Sequence, residues 1–202
     1  MGSEMCIRDS HSPPGPLAAL CGPPAMPPAI SDNTEEPHRL DEDARFMALA
    51  LDEARAAAAR DEVPIGAVVV QGGRVLARAH NLTRVRRDPT AHAEVLALQQ
   101  ATRRTGDLRL PGATVYCTVE PCFMCAGALV HARVARVVWA VPDPKFGGCV
   151  SLGTVLDTPG ANHRCLGEAG PGAEASRELL RSFFRTKRTQ GGQAGRSGDL
   201  RG

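Results

Sequence analysis

The sequence predicts a three-layer α/β/α domain built on a mixed central sheet. Helical and strand-like stretches alternate between two tails. The alternation opens with a hairpin, which brings antiparallel pairing into a sheet covered by helices on both faces. An apolar fraction of 43% in 202 residues is enough for one core, and a domain of this size needs neither disulfides nor metal merely to fold.

Each element has its own signal. A helix is predicted over residues 43–60, where Phe46, Met47, Leu49, Ala50, Ala54 and Ala57 mark one apolar face. Residues 64–70 and 74–80 are short runs rich in β-branched residues around Gln71-Gly72-Gly73, the pattern of a hairpin. A second helix runs from about 92 to 104 and stops before Gly106. Residues 113–119 form a strand, 122–131 a helix opened by Pro121, and 135–141 another strand. Residues 176–186 close the fold as a basic amphipathic helix.

The tails have a different composition. Residues 11–37 are full of proline and lack periodicity, so residues 1–40 are expected to be a disordered tail. Within it, MCIRDS at 5–10 resembles the translated end of a transposon adapter used in sequencing libraries, which makes Met26 a candidate start. Residues 191–202 are expected to be a second flexible tail, leaving 41–190 as the domain.

Charge is unevenly distributed. Residues 1–43 carry two arginines against eight acidic residues, whereas 44–190 carry 20 basic residues against 13 acidic ones. A basic domain suits a polyanionic partner. Seven cysteines, two of them in one C-x-x-C, argue against a complete disulfide framework and for a reducing compartment. The apolar runs are too short to span a membrane, and no signal peptide is visible. A cytoplasmic protein is expected.

Two short motifs open two of the predicted helices: Thr90-Ala91-His92-Ala93-Glu94 and Pro121-Cys122-Phe123-Met124-Cys125. Cys122 and Cys125 are three apart, so on a helical first turn both sulfurs lie on one face and can share a metal. The helix N-terminus also favours the thiolate form. By itself a C-x-x-C is ambiguous between a zinc half-site, a redox pair and two buried thiols. A four-cysteine structural site would need a second such pair, which Cys117, Cys149 and Cys165 do not provide. Three ligands, His92 with Cys122 and Cys125, would leave a fourth tetrahedral position for water, as a catalytic zinc requires. Glu94 then stands where a proton-transferring carboxylate is needed, although an acidic residue is favoured in any helix's first turn.

H-A-E followed by P-C-x-x-C is the signature of the zinc-dependent cytidine deaminase-like superfamily, and the sequence is identified as a member of it. The stretches 62–70, His80-Asn81, 88–94, 119–128, Asn162-His163-Arg164 and Phe183-Phe184-Arg185 resemble the bacterial tRNA-specific adenosine deaminases in order and spacing, from about residue 43 to 188. Phe146-Gly147-Gly148-Cys149 is more similar to the catalytic subunit of the eukaryotic enzyme. The resemblance implies a cytidine deaminase-like fold and one zinc ion per chain on His92, Cys122 and Cys125. It further implies Glu94 as general acid-base and hydrolysis of adenosine to inosine at the wobble position of the tRNA anticodon. A homodimer whose two subunits build each RNA site is implied as well.

Other residues acquire a role mainly through that resemblance. Asn81 ends a strand and Asp143 lies between prolines, both ordinary turn positions; the resemblance implies contact with the base and with the neighbouring nucleotide. Phe183 is a core residue by its spacing and a wall of the anticodon pocket by resemblance. Arg185, Lys187 and Arg188, with Arg181, read either as a solvated face or as phosphate contacts. His80, His131 and His163 lack metal spacing and are not assigned to catalysis.

Two other functions fit parts of the pattern. A free-base deaminase acting on guanine or cytosine shares both motifs, but would not need the basic C-terminal helix. A non-catalytic, zinc-folded RNA-binding subunit would have no need of Glu94.

Overall fold

The computed structural model describes residues 35–194, with side chains from 38 to 190. In chain order the elements are α1 (Glu35–Ala59), β1 (Gly66–Gln71), β2 (Arg74–His80), α2 (Thr83–Arg86), α3 (Ala93–Thr105), β3 (Thr114–Val119), α4 (Phe123–His131), β4 (Arg136–Val141), a 3₁₀ turn at Val155–Asp157, β5 (Leu166–Ala169) and α5 (Ala173–Ala194). The five strands form one sheet in the order β2-β1-β3-β4-β5.

The expected mixed, three-layer arrangement is present. β1 pairs antiparallel with β2 and β3, whereas β3, β4 and β5 run parallel. Alternate side chains of the central strands enter opposite cores. Val68, Val70, Tyr116, Val138 and Ala140 meet Phe46, Met47, Ala50 and Leu51 of α1, with Leu179 of α5 packed alongside. Ala67, Val69, Val115, Cys117, Val137 and Trp139 meet Leu96 and Ala97 of α3 and Ala126 and Leu129 of α4. Burial on both faces explains why these strands read as nearly continuous apolar runs.

The hairpin closes through Gly72 and Gly73, at φ of 55° and 71°. Two consecutive residues in the left-handed region match a two-residue turn to the strands' own twist, and glycine adopts that region without steric cost.

Several boundaries differ from expectation. α1 begins at Glu35 instead of residue 43, so 35–40, assigned by composition to the tail, are helical. Acidic residues and proline are compatible with a helix's first turn, and proline content alone concealed this. α5 extends to both sides of 176–186, reaching Ala194. The remainder of both expected tails lies outside the described residues. α2, the 3₁₀ turn and β5 were not anticipated, because three or four residues carry no readable period. β5 exists through parallel pairing with β4 from Arg136↔Leu166 to Trp139↔Ala169.

This topology determines where a site can form. Since β1 runs against both β2 and β3, the strands β2, β3 and β4 share one direction and their carboxyl ends lie along one edge. The segments leaving those ends carry Asn81, Cys122 and Asp143, respectively. Clefts beyond the carboxyl ends of α/β strands are where such folds bind ligands.

Candidate active site

His92 and Cys122 occupy equivalent positions, each the N-cap of its helix with extended backbone (φ −78°, ψ 152° and φ −68°, ψ 170°). The first intrahelical bonds start from their carbonyls, from Leu96 N–H to His92 at 3.0 Å and from Ala126 N–H to Cys122 at 2.8 Å. Neither side chain caps its own helix, so both are free to point at a third group. Cys125 lies one turn along α4. Its Sγ is 3.5 Å from His92 Nδ1, and Cys122 Sγ is 3.7 Å from the same nitrogen. The three donor atoms lie within 4.8 Å of one another, the one such His/Cys/Asp/Glu group among the described residues.

The electrostatics of this cluster suit a divalent cation. The hydrogen bond from Cys125 holds the Cys122 thiol down to about 4, against burial and with help from His92. Cys125 is pushed far up by the same bond and by burial. The Cys122 bond raises His92. A divalent ion held there would compete with protons for all three donors. Two thiolates and an imidazole at helix entrances are a zinc-type donor set.

Glu94, in the first turn of α3, is buried, and its Oε2 has no hydrogen-bond partner among the described residues. Burial raises its pKa, with the charge on His92 pulling the other way. A buried carboxyl oxygen without a partner carries a desolvation cost that a ligand or water would relieve.

Two other glutamates hold the flanking loops. Glu62 is fully buried and accepts hydrogen bonds from Thr83 Oγ1 at 3.0 Å and from the Arg84 and Val85 N–H groups at 2.7 and 2.8 Å, securing the start of α2. The segment then returns with Leu82 N–H donating to Ala91 O at 3.0 Å. Asn81 Oδ1 accepts from Ala93 N–H at 2.9 Å, which places Asn81 beside His92.

Glu120 does the same for the segment after β4. Its Oε1 accepts from the N–H groups of Cys149, Val150 and Ser151 at 3.1, 2.8 and 3.0 Å. Its Oε2 accepts from Asp143 N–H at 3.0 Å and from the Ser151 hydroxyl. Asp143 Oδ1 in turn accepts from Lys145 and Phe146 N–H at 2.9 and 3.2 Å, the turn role its sequence context suggested. Glu62 and Glu120 received no role from the sequence. Each is an acidic residue directly before or one residue before a proline at the edge of an apolar strand, and that context was the available signal.

The structure does not bring the α5 residues to this cluster. Phe183 packs edge-on against Phe184 at 5.4 Å between ring centres. Lys187 lies 5.7 Å over the Phe183 ring and pairs with Asp61. Arg185 lies 3.8 Å from Glu178, and Arg188 is exposed. These residues sit by the end of α1, across the sheet from α3 and α4. One thread leads back: Asp61 also pairs with Arg84 at 2.8 Å, in α2, whose start Glu62 holds. Of the unassigned histidines, His163 Nε2 contacts Val134 O at 2.7 Å and His80 Nδ1 contacts Glu53 at 2.7 Å.

Residues 41–188 match the family model described as MafB19-like deaminase, and a deaminase is the class that this fold and donor set define. A relative from Agrobacterium fabrum named tRNA-specific adenosine deaminase is 49% identical over 143 residues, covering 71% of this chain and 94% of that protein. A solved structure from work on A-to-I editing by tRNA deaminases at the wobble position of transfer RNA is 46% identical. It covers 68% of this chain and 99% of its own, with a TM-score of 0.66. A guanine deaminase from Nitrosomonas europaea is 26% identical over 68% of this chain and 82% of its own, with a TM-score of 0.60. The chain belongs to the family of tRNA-specific adenosine deaminases.

Proposed function

We propose that the chain hydrolyses adenosine to inosine at the wobble position of a tRNA anticodon, with one zinc ion held by His92, Cys122 and Cys125 and with Glu94 carrying the proton. The observation that carries this reading is the buried, unpartnered Glu94 oxygen beside a three-donor His/Cys/Cys cluster. A zinc ion held there supplies the Lewis acidity that makes a water nucleophilic near neutral pH.

The chain's own groups do the rest. Glu94, raised by burial, takes a proton from the water whose oxygen bonds to C6 and gives it to the adjacent ring nitrogen; it then moves the remaining hydroxyl proton to the amino group as the C6–N bond breaks, releasing ammonia and leaving the C6 carbonyl of inosine. Asn81 is held at Oδ1 by Ala93, which leaves its amide nitrogen to donate to the base. Asp143 faces the neighbouring nucleotide. Phe183 supplies an aromatic surface for the anticodon loop, and Arg185, Lys187 and Arg188 contact its phosphates. A stacked base hides C6, so the enzyme acts on a loop whose base can turn outward at a cost of a few kcal/mol.

The free-base reading has less support, since the guanine deaminase is 26% identical where the tRNA deaminase structure is 46% identical. The activity is assigned to residues 41–190, in line with the family match over 41–188. A homodimer is assigned as well. Phe123, Met124, Phe146, Val150 and Leu152 are large apolar residues left exposed at the start of α4 and on the segment after β4, and such a concentration favours a protein partner. No helix among the described residues is long and apolar enough to cross a membrane. Free thiols at Cys117, Cys122, Cys125, Cys149 and Cys165 suit the reducing cytoplasm.

Mass spectrometry of tRNA, guanine and cytosine after separate incubation with the purified protein tests the assignment. Inosine at the wobble position is expected. Conversion of a free base with tRNA untouched, or tRNA binding without any conversion, would overturn it.

A further inference from the structure

One carboxylate organises the whole segment from Asp143 to Ser151. Five donors converge on Glu120: the N–H groups of Cys149, Val150 and Ser151 on one oxygen, and Asp143 N–H and the Ser151 hydroxyl on the other. Glu120 is also two residues from Cys122. The segment is attached along that short stretch: Gly148 N–H donates to Pro121 O at 2.9 Å, and Cys122 pairs with Gly147 as an antiparallel bridge. Gly147 leaves no alternative seat. A Cβ there would come 2.4 Å from Glu120 Cδ and 2.6 Å from Asp143 O, so carboxylate and backbone touch directly.

The consequence is geometric. One end of the carboxylate fixes Asp143, the other fixes 149–151, and between them Lys145 and Phe146 are exposed at the tip. We propose that Glu120 is a positioning residue for substrate selection: by pinning Asp143 and residues 149–151 to the strand end that leads into Cys122, it sets where this segment meets the nucleotide beside the target base. The role rests on the tRNA reading above and adds a determinant of sequence preference to it. Among the described residues the hydrogen bonds of Glu120 go to Asp143 and residues 149–151 and none to His92, Cys122 or Cys125, so its removal should act through the segment's position.

Glu120→Gln separates this from a purely structural role. A glutamine has one oxygen. If it serves the three N–H groups of 149–151, its amide nitrogen faces Asp143 N–H, donor against donor, while the Ser151 hydroxyl can rotate to accept. The variant therefore frees the Asp143 end selectively. In hydrogen exchange on the free protein, the Asp143 amide should exchange at least about tenfold faster, with the amides of α3 and α4 unchanged. On anticodon stem-loops that differ only in the nucleotide next to the target, the wild type's preference in kcat/KM should shrink several-fold, mainly through KM. Zinc content should stay near one per chain.

Should Glu120→Gln fold poorly, Ser151→Ala removes a single donor and should move both readouts in the same direction by less. A wild type inert on every stem-loop would remove the substrate reading and this role with it. A wild type that is active and selective, with a folded variant that keeps either the Asp143 protection or the full nucleotide preference, would overturn the positioning role alone.

Discussion

Arg136 grips Asp43 with both arms of its guanidinium, Nη1 to Oδ1 at 2.7 Å and Nη2 to Oδ2 at 2.6 Å. Tyr116 donates its hydroxyl to the same Oδ1 at 2.8 Å, and Arg136 Nε bonds Glu168 at 2.5 Å. One nearly buried pair thus ties α1 to β3, β4 and β5, on the face of the sheet away from the donor cluster. Planar, two-point geometry of this kind is where an Arg–carboxylate pair is strongest.

That pair predicts the acid limit of the fold. Burial pushes the Asp43 carboxyl up, but the bonds from Arg136 and Tyr116 and the charge of Arg136 outweigh it, leaving the pKa below the ordinary 3.8. The unfolded chain therefore binds the proton first as pH falls. Asp43's contribution is fully present above that ordinary value and is lost as pH drops through the lower, folded one. Urea unfolding followed from pH 7 to pH 2 should show this loss, and Asp43→Asn should flatten it. The variant should also be less stable at pH 7, by up to roughly 3 to 5 kcal/mol because Arg136 loses its main partner. A variant with wild-type stability and the same acid slope would show that the pair contributes nothing.

Metal analysis should find one zinc per chain in the wild type and a large loss in Cys122→Ser, since the thiolate held down to about 4 is the readiest ligand. Chelation should abolish activity while leaving the far-UV spectrum largely intact, because the cores of the two faces do not include the metal. Full occupancy in the serine variant would mean that the ligand set is wrong.

Glu94→Ala should keep zinc and RNA binding while losing turnover by about 10² to 10⁴, the range for a general acid-base group. One of its oxygens, Oε2, has no partner among the described residues, and the other contacts lie with Cys125 and its own backbone, so its removal disturbs no distant element. Near-normal single-turnover rates would exclude Glu94 as the proton carrier.

The basic end of α5 is best tested without Lys187, whose pairing with Asp61 would confuse folding with binding. Arg185→Ala with Arg188→Ala should lower tRNA affinity and reduce the salt slope by up to about 0.7 to 0.9 per lost phosphate contact. Melting temperature should barely move, since exposed charges change stability by within about 0.5 kcal/mol. An unchanged slope would leave these arginines as a solvated face.

The sequence by itself marked the longer elements and the residues of the candidate site. Period and residue type marked the hairpin at Gly72-Gly73, the helices that begin after His92 and around Cys122, and the α/β/α class, because each depends on neighbours within a turn or a strand. The grouping of His92, Cys122 and Cys125 was legible in part for the same reason, since C-x-x-C spacing places two sulfurs on one helical face, while the roles of zinc and Glu94 came from the resemblance. Only the tertiary structure decided what depends on pairing across the chain. β5 has no readable pattern of its own and exists by parallel pairing with β4. The direction shared by β2, β3 and β4 brought Asn81, Cys122 and Asp143 to one edge. Glu62 and Glu120 showed their use only once distant N–H groups converged on them. A charge in a sequence carries no mark of its partners, and a buried carboxylate is defined by the donors that fold around it.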